Sequence, residues 1–134
     1  MKKKMYVYYQ PNKKDLKDQV GDCAIRAFCK ALNKDWVEVF DSLVPYARKA
    51  QCLINQKPAY EAFLLDNGFT YHPIPKSKRV TVGEFRKDYK GTAICYVRAG
   101  YGTHLVTCVD GKYYDTWDSG SRYMFGYYSR EETT

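Results

Sequence analysis

The period of the apolar residues changes once along the chain, and this change constrains the fold more than any other feature. From 22 to 68, apolar side chains recur every three or four residues, as in amphipathic helices. From Gly91 onward the period is two, which is typical of half-buried strands. Helices followed by an antiparallel sheet predict an α+β fold, a helical lobe packed on a sheet lobe. At 134 residues we expect a single domain, 1–134, in which 1–18 is a basic N-terminal stretch.

Capping and turn residues delimit the predicted elements. Helices are expected over 22–32, from Asp35 to a break near Pro45, from about Pro58 to Gly68, and from Thr81 to about Tyr89. Asp22 or Gly21 is a plausible N-cap, and Thr81 and Glu84 have the spacing of a capping box. A Pro- and Lys-rich connector is expected over 72–80.

Four strands are predicted in the last third of the chain, at 92–98, 104–110, 112–117 and 122–128. Asp110-Gly111 lies between two of them and is the strongest hairpin signal in the sequence. If this pair forms the turn, residue 106 lies opposite residue 115 in the paired strands.

The net charge of +7 raises the question of a nucleic-acid partner. The charge is concentrated in six lysines of the N-terminal stretch: Lys2, Lys3, Lys4, Lys13, Lys14 and Lys17. No nucleic-acid-binding motif accompanies them, so a solubilising, mobile end is the favoured interpretation. No apolar run approaches the ~20 residues of a membrane span, and no signal-peptide core follows the basic start. We therefore expect a cytoplasmic protein without a membrane partner.

The five cysteines do not form a recognisable disulfide or zinc pattern. They include no CxxC pair, and neither histidine has ligand spacing to a cysteine pair. We expect Cys29, Cys95 and Cys108 to be small buried apolar residues and Cys52 to be partly exposed. No metal or other cofactor is predicted.

Cys23 stands at the start of the first predicted helix, where the helix dipole and unpaired N–H groups stabilise a thiolate. A nucleophilic thiolate needs a proton carrier, and histidine is the usual partner. His104 opens a strand, whereas His72 lies in the connector and is a poorer candidate. A carboxylate that orients His104 is available one hairpin later, from either Asp115 or Asp118. A cysteine, a histidine or an aspartate at such a position is more often structural when taken alone. The prediction of a catalytic site therefore depends on the order of the three along the chain.

The segments that carry this order are GDC followed by IRA (21–27), HLV (104–106) and YDTWD (114–118). Together they resemble the papain-like cysteine peptidase superfamily, in particular its small bacterial and phage members and the bacteriocin-processing peptidase domains. The resemblance covers about 19–118. It implies a nucleophile helix packed on an antiparallel sheet, and hydrolysis of an amide or thioester in a peptide or protein substrate through an acyl-enzyme.

Carried over, Cys23 is the nucleophile, His104 the general base and acid, and Asp115 the residue that orients His104. The family also has a polar side chain before the nucleophile that helps to bind the oxyanion. The usual position, six residues before the cysteine, is Lys17. Gln19 is therefore the candidate, and Asp22 is an alternative only when it is protonated.

Several interpretations of the surrounding residues stay open. Trp117 either shields the histidine and its acid or is an ordinary core residue, and Arg26 is expected to pair with Asp22 or Asp118. Substrate is expected between 44–57 and 99–103. The alternatives to a hydrolase are a catalytically silent papain-like binding or inhibitor protein, an acyl transferase on the same residues, and a basic nucleic-acid-binding module.

Overall fold

The computed structural model describes residues 5–14 and 20–131, which form four α-helices, a short 3-10 helix and one six-stranded sheet. The helices are α1 Cys23–Leu32, α2 Trp36–Ala50, α3 Lys57–Asp66 and α4 Val82–Asp88, and the 3-10 turn is Lys76–Lys78. The strands are β1 Tyr6–Tyr8, β2 Thr70–Pro73, β3 Thr92–Ala99, β4 Gly102–Val109, β5 Lys112–Asp115 and β6 Met124–Ser129. The α+β class is confirmed. No helix among the described residues is long and apolar enough to cross a membrane.

The sheet is mixed, with the strand order β1-β5-β4-β3-β6-β2. The four strands of the last third pair antiparallel as expected, and β2 pairs antiparallel with β6. In contrast, β1 runs parallel to β5, so the expectation of a purely antiparallel sheet was wrong. A three-residue strand that pairs with a segment more than a hundred residues away leaves no local period in the sequence.

The hairpin between β4 and β5 has the predicted register. Asp110 and Gly111 both have positive φ, 48° and 87°, as a two-residue hairpin turn requires. Thr107 pairs with Tyr114, which places residue 106 opposite residue 115 when the same register is continued. This register brings the end of β5 towards the start of β4.

Helix α2 continues through Pro45 to Ala50, so the expected break was wrong. Pro45 lies on the exposed side of the helix, where water satisfies the carbonyl that loses its partner. On the opposite side Val39, Leu43 and Ala47 are buried. The burial of this apolar side outweighs the local cost of proline.

The segment 72–80 is not only a connector, because its first two residues belong to β2. Pro73 is tolerated there because β2 is an edge strand. The capping box of Thr81 and Glu84 forms as predicted at the start of α4.

Helix α1 is fixed to β4 by its apolar face and one buried hydrogen bond. Ala24, Ala27 and Phe28 are at most 3% exposed. The hydroxyl of Thr107 on β4 donates to the carbonyl oxygen of Ala27 at 2.6 Å. This contact sets the height of α1 on the sheet, and with it the position of the first residue of the helix, Cys23.

Candidate active site

Cys23 is the first residue of α1, and its side chain is partly exposed. Asp22 is the N-cap but its side chain makes no capping hydrogen bond. Burial raises the pKa of the Cys23 thiol. Hydrogen bonds with the His104 ring and the Leu105 backbone, together with the charges of His104 and Arg26, outweigh this effect and lower the pKa below its usual value. The surroundings of Cys23 therefore favour the thiolate more than those of a free cysteine do.

His104 on β4 is 7% exposed and lies between Cys23 and Asp115. Its Nε2 is 2.6 Å from Oδ2 of Asp115, which leaves Nδ1 for the thiol. The Trp117 ring packs on the imidazole with the ring centroids 4.9 Å apart. Burial lowers the pKa of His104, but the hydrogen bonds and charges of Asp115 and Cys23 raise it to about 9. The imidazolium is therefore the favoured form of His104 at neutral pH.

Asp115 ends β5 and is fixed by several donors in addition to His104. Ser119 Oγ donates to Oδ2 at 2.8 Å, and the Thr116 backbone N–H donates to Oδ1 at 2.8 Å. Burial raises the pKa of Asp115, but its hydrogen bonds and the charge of His104 lower it below the usual value. The backbone carbonyl of Asp115 accepts from the Tyr9 N–H at 2.9 Å and from the Tyr6 hydroxyl at 3.2 Å. Both the carboxylate and its backbone are thus held in place.

Asp118, the alternative acid, points elsewhere. Its Oδ1 accepts from the Tyr113 hydroxyl at 2.6 Å and from the Gly120 N–H at 3.0 Å. It makes no hydrogen bond with His104, so the geometry selects Asp115.

Of the two candidates for oxyanion binding, Gln19 lies outside the described residues, as does Lys17, the position usual in the family. Asp22 is buried, and its two carboxylate oxygens accept hydrogen bonds from Arg26 and from Trp36 Nε1, the latter at 2.9 Å. Because both oxygens of Asp22 are already engaged as acceptors, its side chain is not placed as a hydrogen-bond donor, which argues against Asp22 as an oxyanion donor. The backbone N–H of Cys23 is the donor that the helix terminus itself provides.

The other cysteines differ from Cys23 in environment. Burial raises the pKa of Cys29 to about 12 and of Cys108 to about 11, and it raises the pKa of Cys95 strongly. Cys52 is partly exposed, as predicted, and all five cysteines are free. Cys23 is the cysteine whose surroundings lower its pKa.

His72 is held more firmly than the sequence suggested. Its Nε2 lies 2.9 Å from the Ser129 hydroxyl, and its ring stacks on Tyr127 with the centroids 4.8 Å apart. His72 and Ser129 border a cavity of about 950 Å³ whose lining includes neither Cys23 nor His104. His72 is therefore not brought to the nucleophile.

A second cavity, of about 440 Å³, borders Gly21 and Asp22 immediately before the nucleophile. Apolar side chains of α1, α2 and the following loop line it: Ile25, Trp36, Phe40, Leu53 and Ile54. Part of the expected substrate-binding segment 44–57 thus lies beside the helix terminus, while 99–103 does not contribute to this cavity.

Five contacts to Asp115 were not foreseen, namely those from Arg26, Ser119, Thr116, Tyr6 and Tyr9. Ser119 lies in a polar turn sequence of a kind found in many loops, and β1 is too short to show a period of apolar residues. The proximity of Asp22 and Arg26 was foreseen, since they are four residues apart at a helix start. Within the described residues no group of three or more His, Cys, Asp or Glu could hold a metal ion.

Comparison with protein-family models, curated proteins and solved structures finds no match to this chain.

Proposed function

We propose that this protein is a thiol hydrolase of papain-like architecture, most simply a cysteine peptidase, that acts through an acyl-enzyme on Cys23. The observation that carries the proposal is the position of buried His104, whose Nε2 lies 2.6 Å from Asp115 Oδ2 and whose ring interacts with the Cys23 thiol so that the pKa of the thiol is lowered. A nucleophile, a proton carrier and an orienting acid in hydrogen-bonded sequence are the requirement for nucleophilic catalysis at an acyl group.

Acylation follows from this arrangement. The Cys23 thiolate attacks the substrate carbonyl carbon and forms a C–S bond, while the carbonyl electrons move to the oxygen. The Cys23 backbone N–H lies where it can stabilise the oxyanion. The oxyanion then collapses as the bond to the leaving amine or thiol breaks, and His104 gives its proton to that group.

Deacylation reverses the role of His104. The neutral imidazole takes a proton from water, whose oxygen attacks the acyl carbon. Collapse of the second tetrahedral intermediate breaks the C–S bond and releases a carboxylic acid. Asp115 keeps His104 in the required tautomer throughout and stabilises each imidazolium.

The proposal is tested by the rate of iodoacetamide alkylation of Cys23 as a function of pH. We would compare the wild type with Cys23→Ala and His104→Ala, and use Cys52→Ala as the matched control, because Cys52 is the other partly exposed cysteine. An acyl-enzyme probe applied to the same samples reports the covalent step.

The expected result is selective labelling at Cys23 with an apparent pKa clearly below ~8.5, lost in His104→Ala and retained in Cys52→Ala. Equal labelling of Cys23 and Cys52 at an ordinary thiol pKa would refute an activated nucleophile. An activated Cys23 that never accepts an acyl probe would instead favour a catalytically silent binding protein.

A further inference from the structure

Arg26 connects the two ends of the proposed active site. Its Nη1 donates to Asp22 Oδ1, and its Nη2 lies 3.4 Å from Asp115 Oδ1. The Arg26 side chain is 12% exposed, and those of Asp22 and Asp115 are 4% and 2% exposed. The guanidinium of Arg26, which is only slightly exposed, therefore links Asp22, the residue before Cys23, to Asp115, the partner of His104.

The contacts of Arg26 are part of a closed ring of five residues. Asp22 contacts Arg26, Arg26 contacts Asp115, Asp115 contacts His104, and His104 contacts Cys23, which is covalently joined to Asp22. With the thiolate and imidazolium formed, the charges alternate in sign from Asp22 through Arg26, Asp115 and His104 to Cys23. Arg26, Asp115 and His104 then each lie between partners of the opposite sign, as buried charges require, whereas Asp22 and Cys23 carry like charges where the ring closes.

Arg26 lies three residues after Cys23, so the two side chains are neighbours on one face of α1. Rotation or sliding of α1 that moved the thiol away from His104 would also move Arg26 from Asp115. Among the described residues the buried Nε of Arg26 has no acceptor, so its hydrogen bonds go to the two carboxylates alone. Trp36, on α2, donates a hydrogen bond through Nε1 to Asp22 and so fixes the carboxylate that Arg26 contacts.

We propose that Arg26 is a positioning residue that aligns the Cys23 thiol with His104 by bridging Asp22 and Asp115. This inference rests on the proposed function, since it explains how the nucleophile is aligned. Arg26 acts through the two carboxylates and does not itself need to contact the substrate.

The ionisable groups that face Cys23 are Asp22 and Arg26 of α1, His104 of β4 and Tyr60 of α3. Burial raises the pKa of Tyr60, so this group is uncharged in the pH range of the test. Through-space electrostatics and positioning then predict opposite results when Asp22 is removed. Loss of a neighbouring negative charge lowers the pKa of a thiol, whereas loss of alignment with His104 raises it towards ~8.5.

The experiment measures the apparent pKa of Cys23 from iodoacetamide rates in a Cys52→Ala background. The variants are Asp22→Ala, Arg26→Lys and Arg26→Gln, with the exposed Arg48→Lys as the matched control. Asp22→Ala removes no capping bond, because the Asp22 side chain makes none. Arg26→Lys keeps the charge, but an ammonium group lacks the planar fork that bridges two carboxylates.

We expect the apparent pKa to rise by about one pH unit in Asp22→Ala and in both Arg26 variants, and not in Arg48→Lys. At a pH below both pKa values the rate then falls roughly tenfold. A lower pKa in Asp22→Ala, or an Arg26→Lys curve that coincides with the wild type, would overturn the positioning role. Circular dichroism identifies any variant that fails to fold, and Asp22→Ala and Arg26→Lys each decide the question independently.

Failure of the inference differs from failure of the proposed function. An ordinary thiol pKa in the parent protein, unchanged by His104→Ala, refutes both. An activated thiol in the parent with unshifted Asp22 and Arg26 variants refutes the positioning role alone.

Discussion

Replacement of Asp115 by asparagine removes the charge that holds His104 and is the sharpest perturbation of the site. The rise in the pKa of buried His104 from 6.5 to about 9 corresponds to roughly 3 kcal/mol in favour of the imidazolium. This rise is net of burial, which opposes it, and the hydrogen bond with Asp115 is the largest favourable contribution. In Asp115→Asn, burial still lowers the pKa of His104, and mainly the interaction with Cys23 still raises it. We therefore expect the pKa of His104 to fall by roughly two pH units.

The assay is an NMR titration of the imidazole rings, and the chain contains two histidines. His72→Gln assigns the signals, and Asp118→Asn is the matched control because Asp118 bonds Tyr113 and Gly120. A wild-type His104 that titrates near 6.5, or equal shifts in the two Asn variants, would contradict the assignment of Asp115 as the partner of His104. We also expect Asp115→Asn to lower the free energy of unfolding by about 3 kcal/mol, because Arg26 loses a buried charged partner.

Three further predictions concern stability, each measured by urea denaturation. Pro45→Ala should raise the free energy of unfolding by about 1–2 kcal/mol, since alanine restores a hydrogen bond within α2; a loss of stability would mean that proline is favoured there. Thr107→Val should lower it by about 1 kcal/mol, because the buried bond to Ala27 is lost, and no change would show that α1 is held by apolar packing alone. The stability that His104 contributes is the difference in free energy of unfolding between the wild type and His104→Gln. This difference should be complete below pH 6.5 and decline as the pH rises through about 9, because the folded-state pKa of His104 is raised. A difference that grows over this window would contradict the pairing of His104 with Asp115.

The sequence predicted the parts of the site that depend on local spacing. Cys23 at the start of α1 follows from apolar periodicity, and the approach of Asp115 to His104 follows from the Asp110-Gly111 turn and its register. Both involve residues that are near in the chain or joined by one tight turn. The catalytic roles of these residues remain predictions.

The features that the sequence did not predict depend on tertiary packing. The continuation of α2 through Pro45 requires the buried side of the helix, and the parallel pairing of β1 requires a partner strand that is remote in the chain. Arg26 was expected to pair with Asp22 or Asp118, and it pairs with Asp22 and Asp115. The choice between the two aspartates depends on where β5 ends, which periodicity locates only to within a few residues.

The contact between β1 and Asp115 affects when, during folding, the surroundings of Cys23 are complete. The Tyr6 hydroxyl and the Asp115 carbonyl are 109 residues apart in the chain, and Arg26 and Asp115 are 89 apart. Contacts of such sequence separation form late in folding, because loop closure must precede them. During synthesis, α1 and its thiol emerge well before the histidine and the acid. We expect Cys23 to be an ordinary thiol on the growing chain, and its pKa to be lowered only when β4 and β5 have packed against α1.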